Sequence, residues 1–144
     1  MGDQMKQERI GNQVLYLTDG LSLGSSLENK WIDHIITDPP YEQSLHDSKN
    51  SASKPLRTDG RDELKKLDFD GIDEVRDRFV NVAERITKGW FISFCTVEGV
   101  AKWADAINES EMKYKRACIW VKPDATPQLN GQCPAQGAEC FVTA

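Results

Sequence analysis

His34-Ile35-Ile36-Thr37-Asp38-Pro39-Pro40-Tyr41 is the stretch on which the fold turns. Its first four residues read as a strand, because Ile and Thr are stiff at the β-carbon and favour a pleated chain. The two prolines end it, since neither can donate to a ladder. Strong patterns lie on both sides. Upstream, Val14-Leu15-Tyr16-Leu17 reads as a short strand closed by Thr18-Asp19-Gly20, and Leu21, Leu23 and Leu27 share one side of a short helix. Downstream, Ile72, Val75, Phe79, Val82 and Ile86 recur every three or four residues, which predicts an amphipathic helix of about four turns. Trp90 to Phe94 then reads as a strand, Val97 to Ile107 as a helix, and Ala117 to Val121 as a strand halted by Lys122-Pro123. Strands alternating with helices predict an α/β fold, a mainly parallel sheet with helical crossovers built from residues 14–17, 34–37, 90–94 and 117–121.

The chain of 144 residues fits one ordinary domain. Residues 1–13 are polar and read as a flexible N-terminus, and 14–123 hold the strong elements. Within them, 43–70 mixes serines, charges, Pro55 and Gly60 without periodicity, which predicts a mobile functional segment. Residues 124–144 read as the start of a target-recognition segment or of a following strand. A net charge of -5 excludes a general basic coat, so any nucleic acid would be met by a local patch. Lys113, Lys115, Arg116 and Lys122 are the one such bias, set against the alternative of an ordinary solvated face.

Four cysteines without a CxxC pair, and only two histidines, predict no metal site. Cys95 and Cys118 lie in apolar runs and read as buried free thiols. Trp90, Trp103 and Trp120 read as packing residues, and His34 as a core histidine. No apolar run approaches the length of a membrane span and no signal peptide opens the chain, so a cytoplasmic location is expected.

Asp38 to Tyr41 carries the chemistry. Ligands of open α/β sheets bind at the carboxyl ends of strands, where this tetrapeptide falls. Two prolines remove two donors and leave their carbonyls free, and Asp38 adds a carboxylate acceptor. A cluster of acceptors suits an exocyclic amino group, and the Tyr41 ring offers a face on which a base can stack. A strand ending by chance in a proline turn is the structural alternative.

Asp38-Pro39-Pro40-Tyr41 resembles the catalytic motif of amino-group DNA methyltransferases, which methylate adenine N6 or cytosine N4 from S-adenosylmethionine. Tyr16 to Leu21, Trp31 to Thr37, Gly89 to Phe94 and Ile119 to Pro123 resemble the flanking segments of that family, and the likeness covers most of residues 14–143. It implies part of a Rossmann-like methyltransferase sheet. Asp38 and the Pro39 carbonyl would hold the target amino group, with Pro40 completing the turn, and Tyr41 would stack on a flipped base. An aspartate at the first motif position resembles the adenine enzymes.

The resemblance also implies a site for S-adenosylmethionine on a glycine-rich turn. Asp19 to Gly24 is the one candidate turn, and Asp19 and Asp38 are the cofactor-binding residues expected, but only 13 residues part Gly24 from Asp38, fewer than a crossover needs. The expectation is therefore a family member whose catalytic half comes first, ending before the cofactor motif, binding the cofactor weakly alone and needing that half or a second subunit. DNA is the expected partner, with no membrane and no metal. A non-enzymatic relic or accessory subunit, and a methyltransferase for cytosine N4, RNA or protein glutamine, stand as alternatives.

Overall fold

The computed structural model describes residues 5–42, 71–123 and 137–144. The expectations placed on 43–70 and on 124–136 lie outside the described residues.

Four strands form one sheet in the order β3-β4-β6-β5: β3 is Ile35–Thr37, β4 is Phe91–Cys95, β5 is Arg116–Val121 and β6 is Ala138–Thr143. β3 and β4 are parallel, while β6 is antiparallel to both β4 and β5. Three strands thus run one way, and a reversed strand is inserted between the second and third. The sheet is mixed rather than mainly parallel. The sequence pattern could not reveal this, because an apolar run near the end of the chain carries no mark of its direction.

Val14 to Leu17 is not in this sheet. As β2 (Gln13–Leu17) it pairs with β1 (Lys6–Ile10) in a separate antiparallel hairpin. Gly11, at φ +60°, takes the left-handed conformation of its turn, which a residue without a β-carbon reaches at no steric cost. Lys6–Ile10, read from composition as loose, is ordered because β2 supplies it with a ladder.

Among the described residues three helices accompany the sheet: α1 (Gly20–Ser26), α2 (Arg76–Ile86) and α3 (Val100–Glu109). The helix predicted from Ile72 onward is divided. Ile72–Glu74 is a 3₁₀ turn, Val75 departs from helical geometry at φ −117°, and α2 starts at Arg76. α1 is anchored to α2 by the guanidinium of Arg85, which donates to the carbonyls of Gly24 and Leu27 and to Asn29 Oδ1 at 2.8–2.9 Å. A cation at the carbonyl end of a helix satisfies acceptors that have no helical partner.

Strand register assigns the two faces. Ile35, Phe91, Ser93, Cys95, Cys140 and Val142 point to one side, where Val80 and Ala83 of α2 and Trp103, Ala106 and Ile107 of α3 bury them. Phe79, Phe91 and Trp103 form an aromatic triangle with centroids 6.1–6.3 Å apart. The other side carries Ile36, Ile92, Phe94, Phe141, Cys118 and Trp120. Among the described elements, no helix belongs to the core on that side, and Ile36 is 71% exposed. Of the three tryptophans read as packing residues, only Trp103 is buried, whereas Trp90 and Trp120 are about half exposed. His34 is likewise exposed rather than in the core, its Nδ1 accepting from the Trp90 amide at 3.0 Å.

Candidate functional site

Asp38 to Tyr41 follows β3 directly, at the sheet end where β3, β4 and β5 finish and β6 begins. Asp38 is exposed, Pro39 and Tyr41 half-buried, Pro40 exposed and Glu42 buried. Glu42 enters the helix-covered side, where it meets Thr96 and Arg76.

Glu42 is the anchor. One carboxylate oxygen accepts from the Thr96 hydroxyl at 2.7 Å and the other from Arg76 Nη2 at 3.3 Å. Both ionic side chains are nearly inaccessible, at 4% and 6% exposure. Arg76 Nη2 also reaches Asp73 at 3.1 Å, its guanidinium lies 5.5 Å from the Trp103 ring centre, and Lys102 joins Asp73 at 2.8 Å. Thr96 Oγ1 in turn accepts from the Gly99 amide at 2.9 Å. A β-carbon at position 99 would collide with the Glu42 carboxylate, which would have to shift to admit it. The Ile72 amide donates to the Tyr41 carbonyl at 3.2 Å. The tetrapeptide is therefore tied at its exit to the 3₁₀ turn, to α2 and to the start of α3. A buried ion pair needs this many hydrogen bonds to offset desolvation. No periodicity marks Glu42 in the sequence; a charged residue directly after the motif was the available signal.

Asp38 and Glu139 of β6 stand close enough to Tyr41 for their charges to act on its hydroxyl. Burial, followed by the charges of Asp38 and Glu139, pushes its pKa well above the ordinary phenol value. Glu139 also pairs with the Lys122 ammonium, which lies 5.0 Å from the ring centre of Trp120. Trp120 in turn meets Phe94 edge-on, at 5.9 Å between centroids. Glu139 faces Trp120 in the β5–β6 register, so strand pairing brings it to a site 98 positions away from Tyr41 in sequence.

The cationic residues do not form one patch. Arg116 opens β5 and pairs with Thr143, which places it and the exposed Lys115 and Lys113 toward the opposite end of the sheet from Asp38. The length of β5, roughly 16 Å at about 3.3 Å per residue, separates the two ends. Lys122 is at the site's end, but its charge is engaged by Glu139. Phosphate contact beside the tetrapeptide by these four residues together is thus not supported by their placement.

The candidate cofactor turn has a different occupation. Asp19 caps α1, its Oδ1 accepting from the Ser22 amide at 2.8 Å, and that bond holds its pKa below the usual carboxylate value. Gly24 is buried against α2, where a β-carbon would meet Val82 Cγ1 at 2.5 Å. Capping and close helix packing account for this Asp and this Gly. Nor does any group of three His, Cys, Asp or Glu among the described residues stand where it could hold a metal ion. None of the described helices is long and apolar enough to cross a membrane.

Comparison with solved structures establishes the fold class. The chain shares its α/β fold with M1.HpyAVI in complex with SAM, at a TM-score of 0.51 and 18% identity over 80% of this chain. It is also similar to M1.HpyAVI solved in another structure, at a TM-score of 0.51 and 19% identity over 84% of this chain. The matched region is 45% and 46% of those chains, so this chain spans a little under half their length. No protein-family model and no curated protein matches the sequence.

Proposed function

We propose that this chain is the base-binding, catalytic half of an amino-group DNA methyltransferase acting on adenine N6. The carrying observation is the position of Asp38 and Tyr41 directly after the carboxyl end of β3, with Glu42 anchoring the segment to α2 and the start of α3. The fold shared with a protein solved with SAM is consistent with this reading, as is the Asp-Pro-Pro-Tyr resemblance.

In this reading the Asp38 carboxylate and the Pro39 carbonyl accept the two hydrogens of the amino group. Their pull favours the geometry in which the nitrogen lone pair leaves the ring π-system and becomes nucleophilic. The Tyr41 ring stacks on the extruded base, and neither a covalent nucleophile nor a metal is required. S-adenosylmethionine, when bound, supplies the methyl group. Because Asp19 caps α1 and Gly24 packs against α2, we assign its binding to residues other than Asp19 to Gly24.

The test is single-turnover methylation of adenine-containing duplex DNA by the protein with its cofactor-binding part present, which separates chemistry from product release. Asp38→Asn should lower the rate about 100-fold or more, because the amide adds a donor facing the amino hydrogens. Tyr41→Ala should lose about 1–3 kcal/mol of stacking. Wild-type activity on adenine unaffected by Asp38→Asn would sink the proposal. Methyl transfer to cytosine alone would redirect it to N4 chemistry.

A further inference from the structure

We propose that Thr96 is a positioning residue of this site: its hydroxyl, acting through the Glu42 carboxylate, sets where Asp38 and Tyr41 stand beyond the end of β3. The inference rests on the base-binding reading above and adds a residue that lies outside the tetrapeptide and that no sequence pattern marked.

The tetrapeptide cannot be held as a strand is held. The ladder between β3 and β4 ends at Thr37 and Ser93, and Pro39 and Pro40 have no N–H with which to extend it. Beyond that pair the Tyr41 carbonyl accepts from the Ile72 amide at 3.2 Å, and the Glu42 side chain reaches Thr96 and Arg76. The direction of each bond at Thr96 is determined. The Gly99 amide donates to Thr96 Oγ1 at 2.9 Å, which leaves the one hydroxyl proton for Glu42 Oε2, accepted at 2.7 Å. Arg76 Nη2 takes the other carboxylate oxygen at 3.3 Å. The two contacts differ in kind. The guanidinium neutralises a buried charge at the longer distance, whereas the hydroxyl bond has the short length of a charge-assisted contact and a fixed direction. Thr96 is the first residue after β4, the parallel neighbour of β3, so its bond carries the position of one strand end across to the other. Thr96 and Glu42 are 4% and 3% exposed, which keeps water from replacing the hydroxyl. Removing it leaves the ion pair in place but frees the carboxylate to turn, and the backbone of Asp38 to Tyr41 turns with it.

Two measurements test this. The first is fluorine NMR of the 144-residue chain carrying 3-fluorotyrosine. Its three tyrosines give separate signals, and that of Tyr41 is the one missing from Tyr41→Phe. Thr96→Val, of nearly the same shape but without the hydroxyl, should shift or split the Tyr41 signal, and Thr96→Ser should restore it. Should the valine variant not fold, Gly99→Ala, which presses on the same carboxylate while the hydroxyl stays, should displace the same signal. The second is single-turnover methylation of adenine-containing duplex DNA with the cofactor-binding part present. Thr96→Val should slow the chemical step about tenfold or more with DNA affinity within about twofold, and Thr96→Ser should recover the rate. An unchanged Tyr41 signal, a wild-type rate in Thr96→Val, or a loss that serine fails to restore overturns the proposal. A displaced signal in a protein whose methyl transfer is indifferent to Asp38→Asn upholds the placement by Thr96 and overturns the base-binding reading on which its purpose rests.

Discussion

Glu42 and its partners govern stability at the residue scale. Among the described residues Arg76 Nε meets no acceptor, so the buried guanidinium relies on its Nη2 bonds to Glu42 and Asp73. Glu42→Ala should destabilise the fold by about 3–5 kcal/mol, the usual cost of stranding a buried charge, read by urea denaturation. Gly99→Ala forces a methyl group onto the same carboxylate and should cost about 1–3 kcal/mol in the same assay. If Gly99→Ala proved neutral, the clamp would be looser than its geometry. The thiols give a separate check. Burial, with smaller contributions from Cys140 and Glu42, pushes Cys95 up to about 12, so it remains a thiol at neutral pH. Alkylation followed by peptide mass analysis should label the half-buried Cys118 well before Cys95.

Element ends are set by particular side chains, and α1 is the clearest example. Asp19 begins it and Arg85 of α2 ends it. Asp19→Ala should cost about 1 kcal/mol or less, since the cap is exposed. The pH dependence follows from the lowered pKa. The folded state holds the Asp19 proton less tightly than the unfolded chain, so its contribution is complete above the unfolded value of 3.8 and is lost as pH falls through the lower folded value. Stability curves of wild type and Asp19→Ala should therefore converge in acid and remain apart at neutral pH. Parallel curves over the whole range would remove the cap from the account of α1.

The sheet of the whole molecule is clothed on one side and largely bare on the other among the described residues. Ile36 and Trp120 lie on the bare side, with Phe94 and Phe141 half-covered between them. An exposed apolar patch of this kind favours association. Sedimentation should show self-association of the isolated chain that weakens in Ile36→Ser. That variant should leave folding stability within about 0.5 kcal/mol, as the side chain is already in water. A monomeric wild type with no dye-binding apolar surface would contradict this description of the face. At the same scale, the use of Asp19 and Gly24 for capping and packing predicts weak binding of S-adenosylmethionine by this chain. Calorimetry should give a dissociation constant above about 10 μM, or weaker than roughly -6.8 kcal/mol.

Local chemistry made much of this legible in the sequence. β-branched runs and proline stops give β3 and the turn after it, and the spacing of Val75, Phe79, Val82 and Ile86 gives most of α2, because period and propensity are written residue by residue. The acceptor-rich character of Asp38 to Tyr41 is equally local, since prolines lack N–H wherever they stand. Strand direction and order are not local. β6 is reversed and inserted, and β2 leaves the sheet to pair with a polar strand, because ladder partners are chosen by the packing of all the elements together. The same applies to the site. Glu139 and Glu42 join it through pairing and burial, and Lys113, Lys115 and Arg116 are carried toward the far end of β5, since distance along the chain says nothing of distance across a sheet.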